Sequence, residues 1–300
     1  MKGAARRSVL AGIVLLGLAV AAHAADTGNT INVTDADRVF RNFTREAATV
    51  QPGQIRLEVR GMTLEDNGNT RLNLLGFPAR DIVTSENGGI IDVLGSYGLG
   101  KSSEVGFLVP TFIQSQRLRG PQKVVAGKPQ VDGNGNPIYT TTSSQNEDVG
   151  DVQLYGKFKR SVAEHCVMAG GMELSLPTGI ERKSFGTGEL GTNPFVSTRY
   201  QNGRLAFGMH AGYEFYTGDV PDIFNYSVEA IVRGSDQYAL RAELSGRFFE
   251  TGGTRYNDVV VMPGIDFNVT PEFTIRPEGL ANVTEEALDW GLGLGVAYIF

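Results

Sequence analysis

The sequence predicts an all-β protein: a transmembrane, antiparallel up-and-down β-barrel of about twelve strands, with a short helical segment ahead of it, in the outer membrane of a Gram-negative bacterium. Three observations predict it. An export signal opens the chain, period-2 alternation repeats along the rest, and the last strand ends on the aromatic Phe300.

Lys2, Arg6 and Arg7 form a positive n-region, an apolar run follows from about Val9 to Val20, and Ala22-His23-Ala24 supplies a small-x-small cleavage site. That is the layout of a secretory signal. The run falls short of the roughly 20 apolar residues that span a bilayer. Residues 1–24 are therefore expected to be cleaved.

The signal holds three of the 27 Lys and Arg and none of the 33 Asp and Glu, so the remainder carries 24 − 33 = −9. An acidic chain without a basic block is a poor partner for nucleic acid. Cys166 is the single cysteine, which excludes an internal disulfide and a paired-cysteine zinc site. Beyond the signal no run of 18 apolar residues occurs, so no transmembrane helix is expected. One helical pattern stands out, Asp35 to Ala48, with Val39, Phe40 and Phe43 as its apolar side.

The rest reads with period 2. In Ile55-Arg56-Leu57-Glu58-Val59-Arg60, apolar residues alternate with charges of both signs. Tyr238, Leu240, Ala242, Leu244 and Phe248 share one parity, and Arg241, Glu243, Ser245 and Arg247 the other. Successive side chains on a strand point to opposite faces, so such segments have one apolar face and one ionic face. A soluble half-buried sheet alternates too, and repetition at the ~9–11 residues of a tilted membrane strand separates the cases.

Twelve segments qualify: about 54–64, 89–97, 104–114, 150–160, 166–176, 193–201, 204–216, 225–233, 237–249, 257–268, 273–281 and 290–300. Short joins at 98–103, 161–165, 202–203, 234–236 and 269–272 alternate with generally longer ones at 65–88, 115–149, 177–192, 217–224, 250–256 and 282–289. Short periplasmic turns alternating with longer external loops are the outer-membrane pattern. In the last segment Trp290, Leu292, Leu294, Val296, Tyr298 and Phe300 form one stripe, with an aromatic at each end for the interfacial girdles. Closure is obligatory in lipid, because every backbone N–H and C=O must pair within the protein. The expected organisation is a signal at 1–24, a periplasmic or plug segment at 25–51 and a barrel at 52–300.

The stretch from Thr44 to Glu58 resembles the approach to the first strand in the outer-membrane transporter family labelled for the MetA pathway of phenol degradation. Ser96-Tyr97-Gly98-Leu99, Val149 to Lys157, Leu176-Pro177-Thr178-Gly179 and Gly212 to Tyr216 extend the resemblance in the same order. The resemblance implies a transport-like barrel for small compounds, hydrophobic and aromatic ones included. Its Arg-rich approach helix and long join at 115–149 depart from the family pattern.

The polar parity names the candidate lumen residues: Arg56, Glu58, Arg60, Asp92, Glu104, Asp151, Lys157, Lys159, Glu173, Arg199, His210, Glu214, Glu229, Arg233, Arg241, Glu243, Arg247, Asp258, Asp266, Arg276 and Glu278. They line a polar pore that selects solutes by its field, or they pair into a network that closes the barrel; mixed signs suit pairing. The segment 25–51 is expected to fold back into the barrel, covering Val39, Phe40 and Phe43. A lipid hydrolase is the least favoured reading. His210 falls on the inward parity and His165 in a turn, and neither has a serine and an acid or amide at a recognisable spacing. Cys166 reads as inert packing. Asp132-Gly133-Asn134-Gly135-Asn136 lacks the closing acid of a calcium loop and reads as a hairpin tip. No cofactor or metal is expected. The expected partners are outer-membrane lipid and lipopolysaccharide, the barrel assembly machinery through the strand ending at Phe300, and a small-molecule solute. The competing function is a closed structural or surface-interaction barrel.

Overall fold

A computed structural model describes residues 47, 49–66, 83–121, 139–179, 186–218, 220–251, 254–284 and 290–300. Its strands are β1 (Ile55–Asp66), β2 (Val83–Gly98), β3 (Ser103–Pro121), β4 (Tyr139–Val149), β5 (Val152–Ala163), β6 (Cys166–Leu176), β7 (Gly191–Asn202), β8 (Leu205–Tyr216), β9 (Ile223–Arg233), β10 (Tyr238–Thr251), β11 (Thr254–Asn268), β12 (Phe273–Asn282) and β13 (Trp290–Ile299). Among the described residues there is no helix. The predicted helix, save Ala47, and the hairpin tip at 132–136 lie outside them, as does the signal.

All strands belong to one antiparallel sheet that closes on itself. β1 meets β13 from Arg56↔Ile299 to Glu65↔Trp290. The seal reaches the end of the chain: Phe300 N–H donates to the Ile55 carbonyl at 2.8 Å.

The thirteen segments fill twelve positions, because β4 and β5 are two halves of one wall strand. β3 pairs with β5 from Ser103↔Phe158 to Leu108↔Gln153, and with β4 from Thr111↔Val149 to Pro121↔Tyr139. Between Leu108↔Gln153 and Thr111↔Val149, β3 advances 111 − 108 = 3 residues and its partner 153 − 149 = 4. That is a β-bulge, fastened by Gly150 N–H donating to the Pro110 carbonyl at 2.8 Å.

The bulge locates one departure from the sequence reading. Residues 115–121 and 139–149 of the join expected over 115–149 are strand, and so are residues 83–88 of the join expected over 65–88. These stretches, such as Tyr139-Thr140-Thr141-Thr142-Ser143-Ser144-Gln145, have no apolar stripe. Alternation marks where a strand crosses lipid, and the ladder continues past that point.

The outward parity is apolar. Leu57, Val59, Phe107, Leu154, Met209, Val228, Leu240 and Leu244 are exposed, and on β13 Leu292 is 62% exposed between Trp290 and Phe300. The opposite parity is buried or half-buried. The short turns gather at the end of the barrel where β1 begins and β13 ends. His165 has φ 66° in one of these turns, and Cys166 is half-buried on the outward parity.

Candidate functional site: the barrel interior

The half of the barrel nearer the short turns is ionic. Arg56, Glu58, Asp92, Glu104, Lys157, Arg199, Glu229, Arg241, Glu243, Asp266, Arg276 and Glu278 are buried there. Two runs of alternating sign cross the wall. In one, Arg56 lies 2.6 Å from Glu58, Arg276 lies 3.5 Å from the same Glu58, and Arg276 Nε donates to Asp266 at 2.5 Å. In the other, Asp92 is 2.8 Å from Arg60, which is 3.9 Å from Glu278; Glu278 is 2.6 Å from Arg241, and Arg241 3.7 Å from Glu229.

These runs link strands that are not neighbours, and glycine makes that possible. The inward parity of β13 is Gly291, Gly293 and Gly295, then Ala297. A Cβ on Gly293 would lie 3.0 Å from Glu278 Cγ, and one on Gly295 would lie 3.6 Å from Glu58 Oε1. β1 and β12 therefore join hands across an empty strand. Gly264 does the same on β11, where a Cβ would lie 3.4 Å from Arg241 Nη2 and from Glu278 Cβ. The Gly-x-Gly-x-Gly of the closing strand was the signal for this, visible in the sequence and read there only for its outward stripe.

A separate knot holds the chain ahead of β1. Glu104 accepts from the Val50 N–H at 2.5 Å and from Tyr155 Oη at 2.7 Å, with Lys157 Nζ at 3.4 Å. Ala47, Thr49 and Val50 are each 1% exposed, so this short piece is tucked inside the ring. Its lead into β1 is held by Gly53 N–H donating to the Gly98 carbonyl at 2.9 Å.

The remaining candidates divide. Arg233 bonds to Asp236 and to the Ser235 carbonyl, so it belongs to the short-turn rim rather than to the interior runs. Arg247 pairs with Asp258 at 3.1 Å near the long-loop mouth. Asp151 sits at the bulge and anchors the β6–β7 connection: its carboxylate accepts from the Gly179 N–H at 2.8 Å, the Thr187 N–H at 2.7 Å and Thr187 Oγ1 at 2.8 Å. Lys159, Glu173 and Glu214 are half-buried on the inward parity.

His210 has partners that sequence spacing did not reveal. Its Nδ1 lies 3.0 Å from Ser197 Oγ and its Nε2 3.0 Å from Asn225 Oδ1, and Asn225 Nδ2 donates to Asn193 Oδ1 at 3.4 Å. Ser197, at 1% exposure, offers no surface to a substrate. Polarity also hid the inward apolar residues. Leu94, Phe112, Phe195, Ile231 and Phe249 are buried, and Met62 and Ile90 pair in register on the same parity as Arg60 and Asp92. Among the described residues no cluster suited to a metal ion occurs.

No family model matches the sequence, and no curated protein matches it. Solved structures do. The COG4313 outer membrane channel from Pseudomonas putida F1 aligns over 87% of this chain and 100% of its own, at 13% identity and a TM-score of 0.59. The NanC porin aligns over 81% of this chain and 98% of its own, at 12% identity and a TM-score of 0.50. At that identity the likeness is one of fold, and the fold is that of the twelve-stranded outer-membrane barrel.

Proposed function

We propose that the chain is an outer-membrane channel for small solutes, hydrophobic and aromatic ones included, exported by a signal at 1–24 and delivered to the assembly machinery by the strand ending at Phe300. The observation that carries this reading is the closed ring: an apolar outer parity suited to lipid surrounds an ionic and neutral polar interior. The fold shared with the COG4313 channel and the NanC porin supports it. The short turns then face the periplasm and the long connections the outside. Lipopolysaccharide surrounds the outer leaflet side. The named inward charges set the field along the path, and the segment 25–51 narrows it, with Ala47, Thr49 and Val50 already inside.

Planar-bilayer recording tests the reading. Discrete single-channel currents are expected, and deleting residues 26–48 is expected to enlarge them. Unchanged channel size and gating after the deletion would remove the narrowing role. One observation favours a second reading, a closed structural barrel: the interior charges pair across the wall, and buried ionic groups persist only when paired. No current and no solute uptake into liposomes would decide for it.

A further inference from the structure

The interior wall formed by β7, β8 and β9 is uncharged between its ends. Its inward parity runs Asn193, Phe195, Ser197 on β7, His210 and Gly212 on β8, and Asn225 and Ser227 on β9. The bonds within it have a direction. An amide oxygen only accepts, so the His210 Nε2 facing Asn225 Oδ1 carries the ring proton. Nδ1 is then the acceptor, and the Ser197 hydroxyl donates to it. Asn225 passes the sequence on by donating to Asn193 Oδ1. The relay stops there. Asn193 is 7% exposed, yet its Nδ2 has no hydrogen-bond partner among the described residues.

Two further features converge on the same point. Pro194 lacks an N–H, and the β7–β8 ladder lapses at Asn193 and Pro194 between Thr192↔Phe215 and Phe195↔Gly212. Gly212 makes room for the two amides, since a Cβ there would lie 2.5 Å from Asn193 Oδ1 and 2.7 Å from Asn225 Oδ1. Carboxylates flank the position on both sides. Glu173 is the register partner of Asn193 on β6. Glu214 holds the corresponding place on β8, because 192 + 215 equals 193 + 214. Phe195 presents its ring to the same interior, 5.5 Å from the His210 ring.

We propose that Asn193 is a docking point for an uncharged solute bearing a hydroxyl or carboxamide on a flat apolar body. The solute oxygen accepts from Asn193 Nδ2, its own O–H or N–H is given to Glu173 or Glu214, and its ring lies against Phe195. A carboxylate of the same shape has no proton to give to either glutamate. The site therefore separates neutral from anionic forms of one skeleton. His210, Ser197 and Asn225 are positioning residues that orient the Asn193 amide.

This rests on the channel reading above and has its own test. Nicotinamide and nicotinate share a ring and differ in charge, and each is titrated calorimetrically into the full barrel in detergent. Nicotinamide is expected to bind about tenfold or more tightly than nicotinate, and Asn193→Leu to weaken nicotinamide by about tenfold, the loss of roughly one hydrogen bond. Equal affinity for the two compounds, or undiminished binding by Asn193→Leu, overturns the proposal. If Asn193→Leu fails to fold, the near-isosteric pair Glu173→Gln and Glu214→Gln decides: nicotinate affinity is expected to rise toward that of nicotinamide, and no change overturns the exclusion argument. Currents from the same preparation keep the two ideas apart. A conducting barrel that does not bind nicotinamide removes the docking point alone, and a silent barrel that binds it removes the channel.

Discussion

Arg276 shows what a single side chain contributes to the interior. It serves Asp266 and Glu58 at once, and Glu58 has Arg56 as a second cation. Replacing Arg276 by Met leaves Asp266 buried beside no cation in its own run, and an uncompensated buried charge costs about 3–5 kcal/mol. Urea-driven refolding into lipid vesicles is expected to show a loss of that order. Removing both charges with Arg276→Met and Asp266→Leu leaves Glu58 to Arg56, and most of the loss is expected to return, because a desolvated pair gains little over a well-packed apolar one. An equal loss in the single and double variants would mean that Arg276 acts through packing.

At the scale of the element, the most interrupted ladder among the described residues is β11–β12. Its register pairs are Val260↔Asn282, Val261↔Ala281, Gly264↔Glu278, Phe267↔Ile275 and Asn268↔Thr274, with the positions between them unpaired. The sum is constant across the gaps, 260 + 282 and 268 + 274 both giving 542, so no bulge causes them. Proline does. Pro263 keeps its place in the β10–β11 ladder and Pro277 in the β12–β13 ladder, so each missing donor falls on the shared seam. Pro263→Val is expected to restore one bond and raise stability by about 0.5–1.5 kcal/mol, read as a higher urea midpoint in vesicles; an unchanged midpoint would show that the seam cannot close. The positions of the lipid-crossing strands were legible in the sequence, because a stripe such as Leu240, Ala242, Leu244 records which parity meets lipid. The water-side extension of β3 and β4 was not, since Tyr139–Val149 carries no stripe. Nor was the His210 relay, whose members stand 13 and 15 residues away and meet only once the register of three strands is fixed. Assigning the interior by charge named Arg241 and Glu278 and missed Phe112, Phe195 and Ile231, because a barrel interior is not uniformly polar.

The whole molecule inverts the usual soluble arrangement, with apolar side chains outside and ionic ones within. A charge placed on the outer face should therefore be costly in proportion to its depth. Leu294→Arg, near the middle of the β13 stripe, is expected to lose about 2–4 kcal/mol in vesicle refolding. A loss well below that would place the stripe outside the hydrocarbon layer. The empty inward face of β13 has a further consequence, for the order of events in biogenesis. The final strand can slide between β12 and β1 without threading a bulky side chain past its neighbours. Arg276 can reach Glu58, and Arg60 can reach Glu278, only when the two ends of the sheet have come together around it. These two ion pairs thus arrive with the last strand, and until the circle is complete an unfinished sheet holds only the pairs within each margin, Arg56–Glu58 and Arg60–Asp92 on one side and Arg276–Asp266 and Arg241–Glu278 on the other.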